Sequence, residues 1–141
     1  IKNYLAKENK IKISTPIPYK FFFNRILKIR LKLNKLIKKI LDDKKIIHIY
    51  GASTKGNTII QWQGINSKSI KYAADRNPQK WGAKTLGSNI SIISEDDSKK
   101  MKPDYYLILP WHFKKEFLIR EKKFLKNGGK MIFPLPKLKI Y

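Results

Sequence analysis

The sequence contains no cysteine, which removes disulfides and thiolate metal sites from consideration. That absence suits a reducing compartment, and a cytoplasmic location is expected. Arginine is scarce too. Arg25, Arg30, Arg76 and Arg120 are the only four in a chain of 141 residues with a formal net charge of +22. Such a charge ordinarily points to nucleic acid or an anionic membrane, because cations release counterions when they neutralise phosphates. Here the excess is almost all lysine, a point charge without the planar fork that arginine brings to phosphate and base recognition. It accompanies abundant isoleucine and asparagine, as AT-rich coding would produce, and reads as a background of solvated lysine tips. A basic nucleic-acid-binding α/β module stays open as an alternative, although nucleic acid is not the expected partner. Histidine is limited to His48 and His112, with no carboxylate and histidine cluster to suggest a metal centre. No apolar run approaches the roughly 20 residues of a membrane span, and no signal peptide is visible, so no membrane partner is expected. The length fits one domain with a real core, and Ile1 in first place suggests a fragment or trimmed product.

What is present is alternation. Residues 1–18 are polar and lysine-rich, carry Pro16 and Pro18, and read as a linker or N-terminal arm; residues 19–141 form the domain. From Tyr19 to Leu41 apolar side chains recur at Phe22, Ile26, Ile29, Leu33, Leu36, Ile37 and Ile40, the stripe of a long amphipathic helix that expects a sheet to cover. After it come short β-rich runs at 46–50, 70–74, 90–93, 105–109 and 130–133, with helical stretches to about Gln63, from Ser94 and over 114–126. Strands alternating with helices, several of them continuous apolar runs, predict a parallel sheet covered on both faces. The expected fold is α/β, a Rossmann-like three-layer sandwich with a mostly parallel sheet.

In such sheets ligands bind beyond the carboxyl ends of the strands, where the strand order reverses. The distinctive residues collect at those ends. Gly51-Ala-Ser-Thr-Lys-Gly-Asn-Thr58 comes within one residue of a phosphate-binding loop, with Asn57 where the lysine belongs. Without that lysine or an identifiable acid for magnesium, NTP hydrolysis is not expected. Gly51 permits a sharp turn, Gly56 close helix packing, and the helix start offers N–H groups to an anion; a tight turn without a ligand explains the same residues. Asp75 ends the second strand where Rossmann proteins hold a ribose hydroxyl, but an aspartate capping a strand end is equally ordinary. Arg76 and Lys80 have the charge to neutralise a diphosphate, and Trp81 either stacks on a base or packs under the loop. His48, inside an apolar strand, reads as a satisfied core histidine. His112, beside Trp111 with Glu116 a turn on, reads as a helix-start histidine that hydrogen-bonds a substrate.

Together, GASTKGNT, AADRNPQKWG, PDYYLILPWHF and GGKMIFPLP, in that order, resemble the C-terminal domain of the C-methyltransferase family that modifies nucleotide-linked deoxysugars. The resemblance covers the chain from about Tyr19 onward. It implies a three-part enzyme: an N-terminal zinc-binding domain, a middle domain that binds S-adenosylmethionine and supplies the catalytic base, and a C-terminal Rossmann-like domain that helps anchor the sugar nucleotide. Only the last part matches here. S-adenosylmethionine and zinc are thus expected in the full-length enzyme and neither in this chain, whose partners would be the missing methyltransferase domains, in cis or in trans. On this reading Gly51, Ala52, Ser53, Thr54, Lys55, Gly56, Asn57, Asp75, Arg76, Asn77, Trp111 and His112 fall at family motif positions and are the expected substrate-binding set, with no catalytic residue among them. The isolated chain is expected to bind but not to methylate. The alternative of an autonomous methyltransferase, holding the donor at 51–58, lacks the glycine-rich G-x-G-x-G turn.

Overall fold

The apolar stripe does form a long helix, and it begins earlier than the stripe. In the computed structural model, which describes all 141 residues, helix α1 spans Lys2–Ile11 and α2 spans Pro16–Asp42. Pro16 and Pro18 do not prevent helix here because they occupy its first turn, where no backbone N–H is needed. The expected arm is therefore largely helical, with Lys12 in the left-handed region (φ 53) ending α1.

Five short strands follow in parallel: β1 (Ile47–Tyr50), β2 (Tyr72–Asp75), β3 (Ser91–Ser94), β4 (Tyr105–Ile108) and β5 (Lys130–Phe133). A sixth, β6 (Lys139–Ile140), pairs antiparallel with β5 and has too few residues to leave a sequence pattern. The order is β3-β2-β1-β4-β5-β6, so the winding reverses between β1 and β4. This is the mixed α/β, Rossmann-like architecture expected from the alternation.

Alternate residues of each strand feed two cores. Ile47, Ile49, Ala73, Leu107 and Ile132 face α2 and helix α3 (Thr54–Gln63), where Leu33, Ile37, Ile40 and Ile60 meet them. Each isoleucine or leucine among them, fully withdrawn from water, contributes about 1.5–3 kcal/mol. On the other face Tyr50, Tyr106, Ile108, Met131 and Phe133 pack against Phe117 of α5 (Lys114–Arg120) and Phe124 of α6 (Lys122–Lys126). The short helix α4 (Glu95–Lys100) lies on this side too, capped by Ser94, whose Oγ accepts from Asp97 N at 2.9 Å. The single helix expected over 114–126 is two, because Glu121 leaves helical geometry (φ −99, ψ 26).

His48 projects into this second layer and is satisfied there. Its Nδ1 lies 2.8 Å from Ser98 Oγ, which lies 2.9 Å from Tyr106 Oη. Burial depresses its pKa from 6.5 to about 4. Between those values the unfolded chain binds a proton that the folded chain refuses, so stability falls as pH drops through that window. Urea denaturation of the native chain and of His48→Gln from pH 7 to 4 should diverge, the native chain losing up to about 3 kcal/mol more. Parallel curves would mean that His48 takes up its proton as readily in the fold as in the unfolded chain.

Candidate functional site

The reversal between β1 and β4 sends their following loops apart and opens a cleft of about 300 Å³ at the carboxyl ends of the strands. Gly51 makes the opening geometry possible. It sits at φ +91, and a Cβ there would fall 2.5 Å from Pro110 Cγ, so the two loops touch only because the side chain is absent. At Gly56 a Cβ would meet Leu109 Cδ1 at 2.7 Å, which lets α3 settle on the β4 end. Ser53 caps α3, its Oγ accepting from Gly56 N at 3.1 Å. The N–H groups of Thr54 and Lys55 precede the first intrahelical bond, Asn57 N to Ser53 O.

Asp75 locks the β1 and β2 loops together. Its Oδ2 accepts from Ala52 N (2.8 Å) and Lys80 Nζ (3.2 Å), and its Oδ1 accepts from Asn77 N (2.9 Å). Lys80 also donates to Ala52 O, and Trp81 Nε1 donates to Asp75 O at 2.8 Å. The buried Asp75 carboxylate is thus engaged at both oxygens, a loop clip rather than an open acceptor for a ribose. Lys80 and Trp81 serve the same clip, which leaves Arg76, its side chain 74% exposed and paired only at 4.0 Å with Glu95 Oε1, as the solvent-facing cation of this loop.

The cleft brings Gly51, Ser53, Asp75 and Arg76 together. Ala52 and Gly56 are buried behind it, and Thr54, Lys55 and Asn77 are exposed beside it. Asn57 is half-buried, with its Oδ1 unpartnered. Trp111 and His112 do not line the cleft. Their rings pack 4.2 Å apart, Trp111 against the second core and His112 in solvent, while Pro110 and Phe113 supply the wall expected of them.

The far wall comes from residues that, apart from Glu116, the sequence did not single out. Glu95, Glu116, Phe117 and Arg120 line it, with Tyr50 at the β1 end. Arg120 donates to Glu95 Oε1 at 3.2 Å and approaches Glu121 Oε1 at 3.3 Å. Its guanidinium lies over the rings of Phe117 (4.8 Å) and Tyr50 (5.2 Å). Burial works against its charge, but the neighbouring Tyr50, Glu95 and Glu121 prevail and raise its pKa. Tyr50 Oη donates to the buried Glu121 at 2.7 Å, and Lys99 Nζ reaches the same oxygen at 3.1 Å. Burial first, then the Glu121 bond, pushes the Tyr50 phenol well above its ordinary range, so it is a donor and no base. Beyond Glu116, the sequence pattern carried no signal for this wall: 114–126 reads as one helix, and the break at Glu121 shows only in the structure.

A sequence profile for the C-methyltransferase C-terminal domain matches residues 1–136. The chain belongs to that family. It is 32% identical over 140 residues, 99% of its own length, to the C-methyltransferase NovU of Streptomyces niveus. The matched region is 33% of NovU, so the chain spans about a third of the length of this curated relative.

The donor set of this domain gives zinc nothing to bind: there is no cysteine and no group of three or more His, Asp or Glu side chains able to hold a metal. The Asp75 carboxylate, at the position where a nucleoside ribose is commonly held, is already engaged by Ala52, Asn77 and Lys80.

Asp75→Ala should cost about 2–4 kcal/mol in urea denaturation by orphaning the Ala52 and Asn77 N–H groups, and Asp75→Asn should cost less. Equal stability of Asp75→Ala and the native chain would remove the clip.

Proposed function

We propose that this domain anchors a nucleotide-linked sugar for the full-length C-methyltransferase and performs no methyl transfer alone. The observation that carries the reading is the composition of the cleft: two arginines, two glutamates and three aromatic rings around one opening at the strand-order reversal. Each type has a matching part in such a ligand. The exposed Arg76 guanidinium and the α3 amino end suit a diphosphate, which takes charge-assisted and backbone N–H hydrogen bonds. Glu116 offers an acceptor to sugar hydroxyls, and the exposed Phe113 presents ring surface to the apolar face of a deoxysugar.

The methyl donor, its catalytic base and the zinc site belong, on this proposal, to the rest of the enzyme. There a proton beside a keto group would be removed and the resulting carbon nucleophile methylated. This chain would bind and orient the substrate and narrow its access to water. Family membership lends no support to the nucleic-acid module, and the ribose position occupied by the Asp75 clip argues against an autonomous methyltransferase. A cytoplasmic enzyme is in keeping with the cysteine-free composition. No helix is long and apolar enough to cross a membrane.

Titration calorimetry with a nucleoside-diphosphate deoxysugar and with the nucleoside diphosphate alone tests this. Arg76→Ala should weaken both ligands about tenfold, the loss of one charge-assisted contact, while Glu116→Gln should weaken only the sugar-bearing one. An absence of heat with either ligand, or affinities indifferent to both substitutions, would refute the assignment.

A further inference from the structure

The carboxyl-end cleft leaves one conspicuous surface unexplained. None of the residues of α1 is buried, and α2 buries only Leu33, Ile37 and Ile40 in its second half. Its first half carries Ile17, Tyr19, Phe21, Phe22 and Phe23, all about half exposed or more. Phe22, Phe23, Ile26 and Ile29 form one wall of an apolar groove of about 430 Å³. Trp62 and Ile59 of α3, together with Pro134 and Leu135 after β5, form the other. Trp62 is held in place, edge-on to Phe23 with ring centroids 6.3 Å apart and Arg30 over its ring at 4.9 Å. Gln63 also lines the groove, and its buried Oε1 has no hydrogen-bond partner in this chain. A run of exposed aromatics leading into a concave apolar groove marks an interaction surface.

We propose that the first half of α2 and this groove form the seat of the other domains of the C-methyltransferase, packed against this one through an apolar ridge. The inference rests on the family reading. The chain belongs to a C-terminal domain family and spans 33% of the length of NovU, so about twice as much polypeptide again must find a surface on which to pack. The groove is the apolar surface most open to it. The opposite side of α2 is cationic, with Lys20, Lys28, Lys35 and Lys38 exposed, so the partner's rim should be acidic where it passes that side. A lipid bilayer fits less well. The groove is concave and built from three separate elements, whereas a membrane-lying helix presents one convex face.

The test is hydrogen exchange on the isolated chain and on a full-length chimaera in which this chain replaces the matched third of NovU. Amides of residues 17–30 should exchange about tenfold or more slowly in the chimaera. The double substitution Phe22→Asp, Phe23→Asp should restore the rates of the isolated chain, while Leu31→Asp, on the side of the helix opposite Phe22 and 70% exposed, should not. Equal rates in chain and chimaera would overturn the proposal. Two measurements on the isolated chain keep it falsifiable if the chimaera does not fold. Sedimentation should find a monomer, and phosphatidylglycerol vesicles should not retain it. A dimer, or vesicle binding, that Phe22→Asp, Phe23→Asp abolishes would give the surface to a second copy or to a membrane instead. Calorimetry of the doubly substituted chain with the nucleoside-diphosphate deoxysugar separates the two readings, because the cleft shares no residue with the groove.

Discussion

Parallel pairing of Ile47–Tyr50 with Tyr105–Ile108 is the contact on which the rest of the molecule turns. These strands are neighbours in the sheet but 58 residues apart in register, Ile47 facing Tyr105, and the chain winds away from the junction in opposite directions on either side of it. Two loops therefore leave one edge and diverge. The space between them is the cleft, and Gly51 against Pro110 sets how closely its walls approach.

Around that opening the charged groups are arranged in two tiers. Asp75 and Glu121 lie deep and are engaged within the fold, the first by two backbone N–H groups and a lysine, the second at its Oε1 by Tyr50, Lys99 and Arg120. They stabilise geometry, since a buried carboxylate is tolerated only when hydrogen bonds compensate its lost hydration. Arg76, Glu116 and the outer edge of Arg120 lie above them with donors and acceptors still facing solvent. In a protein of net charge +22, a cleft this evenly mixed in sign differs from the surface around it.

The two ends of α2 have different tasks. Its second half covers the sheet with Leu33, Ile37 and Ile40, and a helix needs such tertiary packing because propensity alone is marginal in water. Its first half extends past the sheet with its aromatic residues uncovered. One apolar stripe thus serves an intradomain core and then continues as an external surface.

Local pattern determined much of this protein by itself. The alternation of apolar runs and helical stretches set the Rossmann-like class, the four motifs marked the family, and Gly51, Ser53 and Arg76 were legible as residues beside a strand-end cleft. These depend on short-range rules: strand period, helix capping and the steric freedom of glycine. Asp75 was legible as a position, but its engagement with Ala52 and Lys80 was not. Arg120, Glu121 and Glu95 carried no signal, because their roles arise only when α4 and α5 are laid side by side on one face of the sheet. The same packing turned Trp111 away from the cleft by burying its side chain against the second core, while His112 lies in solvent against the Trp111 ring. Periodicity reports which face of an element is apolar; which residues from distant elements share a pocket is decided by strand order and by the helices that fill each face.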